Sequence, residues 1–505
     1  MLWTGFLVLA VLASSVSGRQ VSQRHRLDDF RGLQHHIQYH PEVPAGEGVA
    51  SSVTEHNYTQ AVVDHYAPVS ATKFWNQRYF VNDEFWAGEG FPVFLYIGGE
   101  GPLTASALSK NNFIHELAQH HRALLVGVEH RFYGTSYPTP NMSTDNLQYL
   151  SSQQALFDLA RIHSYLTGVY GLHRSAWVAF GGSYPGALAA WFKLKFPHLV
   201  RGSVASSAPL LAKENFQEYM EVVGAGLRYF GGGDCYRSVE KAIGSFHALL
   251  ADTSEASKAK LDRLFKPCTP RRNDFDDSVF ESSVMTLFQD VAQYNEETSG
   301  QTLSDVCHIF ANKTADPLTQ LHTFVTTQSK KACLDSSFQG TANGTVEVLR
   351  DITFNGHSSS RQWFFQTCNE FGYFQTTTSA KSPFFALKSQ TLQNVGLEVC
   401  KRVFGINASP DIARTNTFYG ALDIAVDNVV FPSGTIDPWH ALAVQNSTHL
   451  ATSSSHAIFI EGTAHCADMR ARNATKDSGH LVWARQQIAA AVASYVGGTP
   501  KVANQ

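Results

Sequence analysis

The chain has 505 residues, with 39 Lys plus Arg against 43 Asp plus Glu and a formal net charge of −4. Hydrophobic residues make up 43% and charged residues 16%, enough to bury a large core in two domains or in one domain with a long insertion. No basic excess exists to neutralise a phosphate backbone, which argues against nucleic-acid binding, and no apolar run reaches the roughly 18–20 residues that cross a bilayer.

Residues 2–13 form an apolar run broken only by Thr4 and Gly5, and small residues follow to Gly18. This predicts a secretory signal peptide over residues 1–18, although its start lacks Lys or Arg. Residues 19–56 are polar and read as an N-terminal arm or propeptide. From about residue 58 strand and helix signals alternate. Residues 91–97 are an apolar run rich in strand formers, ended by Gly98 and Gly99. Residues 112–120 are helical in character, and 123–128 are a second buried strand. Residues 150–166 place Leu156, Leu159, Ile162 and Leu166 at helical spacing behind a Ser-rich start that can cap them. Residues 175–180 predict a third strand, 187–196 a helix and 200–206 another strand. Residues 211–420 differ, with more polar helical segments. Alternation returns with strands at 428–431 and 456–460 and a final helix over 481–495. The pattern predicts an α/β fold with a mostly parallel sheet, interrupted by one long helical insertion.

Six of the seven cysteines, Cys235, Cys268, Cys307, Cys333, Cys368 and Cys400, lie in that insertion, and no pair has the C-x-x-C spacing of a zinc or redox site. In an oxidising compartment they read as three disulfides, with fifteen pairings open. Cys466 is left over. Seven Asn-X-Ser/Thr triplets occur, at Asn57, Asn141, Asn312, Asn343, Asn446, Asn473 and, weakened by a following Ala-Ser-Pro, Asn407. They are expected glycosylation sites in a chain that enters the secretory pathway.

The most informative segment is Phe180-Gly181-Gly182-Ser183-Tyr184-Pro185-Gly186, between a predicted strand and a predicted helix. A serine on such a turn stands above the sheet edge, and the N–H of the next residue, Tyr184, faces the same space. Pro185 stands where the G-x-S-x-G pattern has its second Gly, and is tolerated in a first helical turn. Two further loops follow strands: one carries Asp437 within Ser433-Gly-Thr-Ile-Asp-Pro-Trp439, the other carries His465 within Glu461-Gly-Thr-Ala-His-Cys466. Nucleophile, acid and base in this chain order are those of an α/β-hydrolase. Serine needs a base, imidazole carries the proton both ways, and a carboxylate fixes the imidazole tautomer. His440 competes with His465, and Asp423 and Asp427 compete with Asp437. The loop after residue 97 is expected to supply the second oxyanion donor from the N–H of Gly99 or Glu100.

At these residues the chain resembles the serine peptidase family of prolyl carboxypeptidase, dipeptidyl peptidase II and thymus-specific serine protease. The shared blocks are Gly98-Gly-Glu-Gly101, Glu129-His-Arg-Phe-Tyr-Gly134, the segment from Gly181 to Trp191, Ser203-Val-Ala-Ser-Ser-Ala-Pro209, Asp437-Pro-Trp439 and Gly462-Thr-Ala-His-Cys466. It looks nearest to the thymus-specific branch through His465-Cys-Ala-Asp-Met469, Arg361-Gln-Trp-Phe-Phe-Gln-Thr-Cys368 and Lys193-Leu-Lys-Phe-Pro-His-Leu199. The resemblance implies an α/β-hydrolase domain over 57–210 and 421–505, and a disulfide-stapled helical cap over 211–420. It implies Ser183 as nucleophile, Asp437 as orienting acid and His465 as base. Cleavage of short peptides after proline is implied too, exopeptidase-like because the cap limits entry. Trp439 is expected either to face a prolyl ring or to sit in the core. Glu129, His130 and Arg131 are expected to be a structural cluster behind the site. The implied bridges are Cys235–Cys307, Cys268–Cys333 and Cys368–Cys400. Carboxypeptidase members carry a second His directly after the catalytic one. Here it is Cys466, so exopeptidase polarity does not transfer.

The expected protein is therefore a serine peptidase without metal or cofactor, lysosomal, endosomal or secreted, whose partner is a peptide substrate, with a homodimer left open. An esterase using the same triad and a catalytically inactive binding protein on the same fold are the alternatives.

Overall fold

The computed structural model describes residues 52–295, 301–354 and 358–497; the expected signal peptide and residues 19–51 of the expected arm lie outside them. The first elements are β1 (Val53–Val62) and β2 (Phe74–Asn82), an antiparallel pair at one sheet edge. Residues 53–56, expected in the arm, open β1. β1 is mostly exposed, as suits the outermost strand, while β2 alternates at its start and is buried toward Asn82. Next come β3 (Val93–Ile97), α1 (Phe113–His121), β4 (Leu124–Val128) and α2 (Ser152–Tyr170). The Ser151 hydroxyl caps α2 by accepting the N–H of Gln154, and Gly171 ends the helix in a left-handed conformation. β5 (Trp177–Gly182), α3 (Tyr184–Lys195) and β6 (Gly202–Ser206) complete the N-terminal half.

A short strand β7 (Lys213–Asn215) then leads into the insertion, which opens with α4 (Glu218–Ala251), broken at the non-helical Gly232. α5 (Asp274–Gln293), α6 (Leu303–Phe310) and α7 (Ser360–Gln366) follow, before β8 (Gly372–Phe374), which pairs with β7 in parallel. The insertion contains the disulfides Cys235–Cys307, Cys268–Cys333 and Cys368–Cys400, and Cys466 is a free thiol. The chain returns to the sheet with β9 (Val429–Gly434), β10 (His456–Ile460) and the closing helix α8 (Gly479–Tyr495).

The eight strands of the main sheet run β1-β2-β4-β3-β5-β6-β9-β10, antiparallel as far as β4 and parallel from β4 onward. β3, β4, β5, β6 and β9 are buried along their whole length, which explains their uninterrupted apolar or small-residue runs. Alternate residues feed two cores. Leu95, Val126 and Ala179 pack toward α2 and α3, while Phe94, Leu125 and Phe180 pack toward α1 and α8. This is an α/β-hydrolase fold with a mixed sheet and a helical, disulfide-bonded insertion.

Candidate active site

Ser183 sits between the last residue of β5 and the first of α3, with φ 62° and ψ −132°. A non-glycine residue costs about 1–3 kcal/mol in such a sparsely populated conformation, and the surroundings must hold it there. They do so by close approach. A Cβ on Gly186 would lie 2.4 Å from the carbonyl oxygen of Ser206 in β6, and one on Gly181 would lie 2.0 Å from that of Pro185. The Ser183 N–H is tied to the Ser206 carbonyl at 2.9 Å. Tyr184 begins α3, so its N–H has no acceptor within the helix. Its buried phenol accepts from Gln366 Nε2 of α7 at 3.1 Å and donates to His130 Nε2 at 3.0 Å. His130 Nδ1–H donates to the Arg131 carbonyl, and burial pushes its imidazole down to about 4, so the ring is neutral.

Asp437 and His465 lie in the loops after β9 and β10. The loops are joined by backbone bonds from Thr435 to Ile460 and from Ile436 to Thr463, both at 3.0 Å. Asp437 is fully buried. Its Oδ1 accepts the Trp439 N–H at 2.9 Å and His465 Nδ1–H at 2.9 Å. His465 is itself buried, and besides Asp437 it interacts with the adjoining Cys466 thiol. Burial opposes protonation of this ring, but the Asp437 carboxylate beside it holds its basicity well above the ordinary histidine range. The loop that carries His465 packs against the turn that carries Ser183: a Cβ on Gly182 would meet Met469 Sδ at 2.3 Å and Cys466 Sγ at 2.8 Å. Cys466 adopts φ 55°, and its N–H donates to Ser207 Oγ at 2.9 Å. The competing groups lie elsewhere. The His440 ring stacks edge-on against Phe459, Asp427 pairs with Lys193 at 3.2 Å, and Asp423 is exposed.

Gly99 and Glu100 are buried in the loop after β3. Burial pushes the Glu100 carboxyl up to about 8, its Oε2 has no partner, and its charge interacts with that of His465. Glu129 anchors the far end of this loop. Its carboxylate accepts the N–H groups of Leu103 and Thr135 at 3.0 Å each and the Ser136 hydroxyl at 2.7 Å, and pairs with Arg78 at 2.5 Å. Arg131 binds both oxygens of Asp158 at 2.6 Å and three backbone carbonyls. These are the contacts of a structural cluster.

Trp439 is buried, with its ring centroid 5.3 Å from Phe216, 5.4 Å from Tyr373, 5.8 Å from Tyr219 and 6.4 Å from His465. Its indole N–H donates to Gln293 Oε1 at 3.1 Å. Gln293 and Gln366, two insertion residues that reach the site, went unnoticed in the sequence because neither stands in a motif. Of the expected glycosylation sites, Asn57, Asn312, Asn343, Asn446 and Asn473 are exposed. Asn141 is half-buried and its Oδ1 accepts from Ser143 and Asn146.

The family model described as serine carboxypeptidase S28 matches residues 61–488. A Caenorhabditis elegans protein whose name places it among serine proteases is 36% identical over 458 residues, covering 86% of this chain and 87% of that one. Thymus-specific serine protease of Mus musculus is 32% identical, with 96% of each chain covered. Lysosomal Pro-X carboxypeptidase of Homo sapiens is 27% identical, with 83% of each covered. Among solved structures, epoxide hydrolase A from Mycobacterium thermoresistibile aligns with 89% of this chain and 99% of that one, at 14% identity and a TM-score of 0.35. The match along most of the chain, by family model and by relatives above 30% identity, makes this protein a member of the S28 family of serine peptidases.

Proposed function

We propose that the protein hydrolyses short peptides through an acyl-enzyme, on the carboxyl side of proline and from a chain end. Ser183 Oγ attacks the scissile carbonyl carbon while His465 Nε2 takes its proton. The C–N bond then breaks as that proton passes to the leaving amine. Water, deprotonated by the same nitrogen, attacks the acyl carbon, releases the acid and restores the serine. Asp437 keeps the Nδ1–H tautomer and stabilises the imidazolium. The N–H groups of Tyr184 and of Gly99 or Glu100 stabilise the oxyanion. The observation that carries this reading is the buried His465 ring, its Nδ1–H bonded to the buried Asp437 carboxylate, in a loop packed against the turn of Ser183.

The proline preference rests on the aromatic surroundings of Trp439 and on the printed name of the Pro-X carboxypeptidase relative. The chain-end preference rests on the insertion, whose residues reach both Tyr184 and His465. Three disulfides and the exposed Asn-X-Ser/Thr sites support folding in the secretory pathway, with a lysosomal or secreted destination. Among the described residues no helix is long and apolar enough to cross a membrane.

A fluorophosphonate probe is expected to label the wild type and not Ser183→Ala. Mass-spectrometric profiling of a mixed peptide library is expected to show products ending in proline, absent with Ser183→Ala. Persistent labelling of that variant would remove Ser183 as nucleophile. Ester substrates turned over much faster than every prolyl peptide would move the reading to an esterase.

A further inference from the structure

The acid and base of the site are enclosed by a ring of four hydrogen bonds, and one member of the ring belongs to the insertion. His465 N–H donates to the Gln293 carbonyl at 3.0 Å. Gln293 Oε1 accepts the Trp439 indole N–H at 3.1 Å. The Trp439 backbone N–H donates to Asp437 Oδ1 at 2.9 Å, and the same oxygen accepts His465 Nδ1–H at 2.9 Å. Gln293 is the last residue of α5 and is buried. Its side chain makes two further bonds: Oε1 also accepts the Tyr219 hydroxyl at 2.6 Å, and Nε2 donates to the Tyr294 hydroxyl at 2.8 Å. Tyr294 lies edge-on to the His465 ring at 6.4 Å.

From this closed ring we propose that Gln293 is a positioning residue, through which the helical insertion holds the His465–Asp437 pair in register with Ser183. The inference rests on the reading of Ser183, Asp437 and His465 as the catalytic groups, and adds that the hydrolase sheet alone does not complete them. Both loops that carry the pair are irregular and follow the C-terminal ends of β9 and β10. The main-chain bond to Gln293 fixes where the His465 backbone sits. The side-chain bond to Trp439 fixes the residue whose N–H orients the Asp437 carboxylate. An apolar side chain at 293 leaves two buried donors, Trp439 Nε1 and Tyr219 Oη, without this acceptor, and the loops must shift to satisfy them. The titratable groups that face His465 are Asp437, Cys466, Glu100 and Asp468, with Tyr294 at its edge. A carboxylate at 293 would keep the acceptor and add a negative charge to this set.

The test uses the full chain with three substitutions. Wild type and Ser183→Ala with a fluorophosphonate probe establish the nucleophile independently of any peptide. Gln293→Leu is expected to lower both the labelling rate and kcat on a prolyl peptide by about tenfold, with KM changed much less, because the probe and the peptide share the triad but not the subsites. Gln293→Glu is expected to keep most of the plateau rate and to move the acid limb of the pH–rate profile upward, since an added carboxylate favours the charged imidazole. If Ser183→Ala still labels, the triad reading fails and takes this inference with it. If Ser183→Ala is silent while Gln293→Leu labels at the wild-type rate with an unshifted pH profile, Gln293 is merely structural and the inference alone is overturned. Should Gln293→Leu not fold, an unmoved acid limb in Gln293→Glu overturns it in the same way.

Discussion

The carboxylate of Glu129 accepts the backbone N–H of Leu103 at 3.0 Å, tying the loop that carries Gly99 and Glu100 to the end of β4. The same carboxylate is fully buried and pairs with Arg78, which is itself mostly buried. Glu129→Ala would leave the mostly buried Arg78 guanidinium with only the Leu103 carbonyl and the exposed Glu55, and would free two backbone donors. Breaking a buried pair from one side costs about 3–5 kcal/mol, so the variant is expected to lose about that much stability in urea denaturation. Glu129→Gln keeps the acceptor for Leu103 and is expected to lose less stability and retain more activity.

Asp437→Asn should leave the fold nearly intact, since the amide oxygen can still accept the Trp439 N–H. Its effect falls on the imidazole. The Asp437 charge is what holds His465 basicity above the ordinary range against the opposing effect of burial. The proposed mechanism requires neutral His465, so the wild-type rate is expected to fall as pH drops through that raised value. With the charge removed, the acid limb should move to lower pH. The plateau should fall roughly ten-thousand-fold, because the ring no longer holds the productive tautomer. A pH series of kcat/KM for both proteins reads both effects.

Glu100 governs the opposite limb. Burial raises its carboxyl to about 8, so it is neutral below that value and becomes an anion above it. A negative charge arising in the loop proposed to supply an oxyanion donor would oppose the charge that develops in the transition state. Activity should therefore decline as pH rises through about 8 in the wild type. In Glu100→Gln the side chain stays neutral and the alkaline decline should be displaced upward or lost, while the acid limb stays set by His465.

The bridge Cys368–Cys400 closes a loop of 32 residues behind α7, the helix that ends in Gln366. Replacing both cysteines by Ala should lower stability by about 2–4 kcal/mol. Since the Gln366 side chain holds the Tyr184 phenol and Tyr184 follows the proposed nucleophile Ser183, fluorophosphonate labelling is expected to fall along with the melting temperature.

Local pattern was enough to read most of the sheet. β3, β4, β5, β6, β9 and β10 are short apolar or small-residue runs ended by turn residues, and each such run carries its own signal. Ser183, Asp437 and His465 stood out as candidates for the same reason: each lies in the turn or loop that follows a strand, in the chain order of a hydrolase. β1 and β2 were not resolved as a pair, because an antiparallel edge half in water has weak alternation and its register comes from the partner strand. Nor could sequence choose between the two expectations for Trp439, the wall of a pocket and the core, since both suit an aromatic residue; the structure buries it among Phe216, Tyr219 and Tyr373 beside His465. By itself, then, the amino-acid sequence determined the strand–helix alternation, the residues at the strand ends and the family to which they point. Tertiary structure alone decided that Gln293, 146 positions before Trp439, meets it beside the base. Periodicity is a property of neighbours along the chain, whereas a hydrogen bond between distant residues exists only once the insertion has folded onto the sheet.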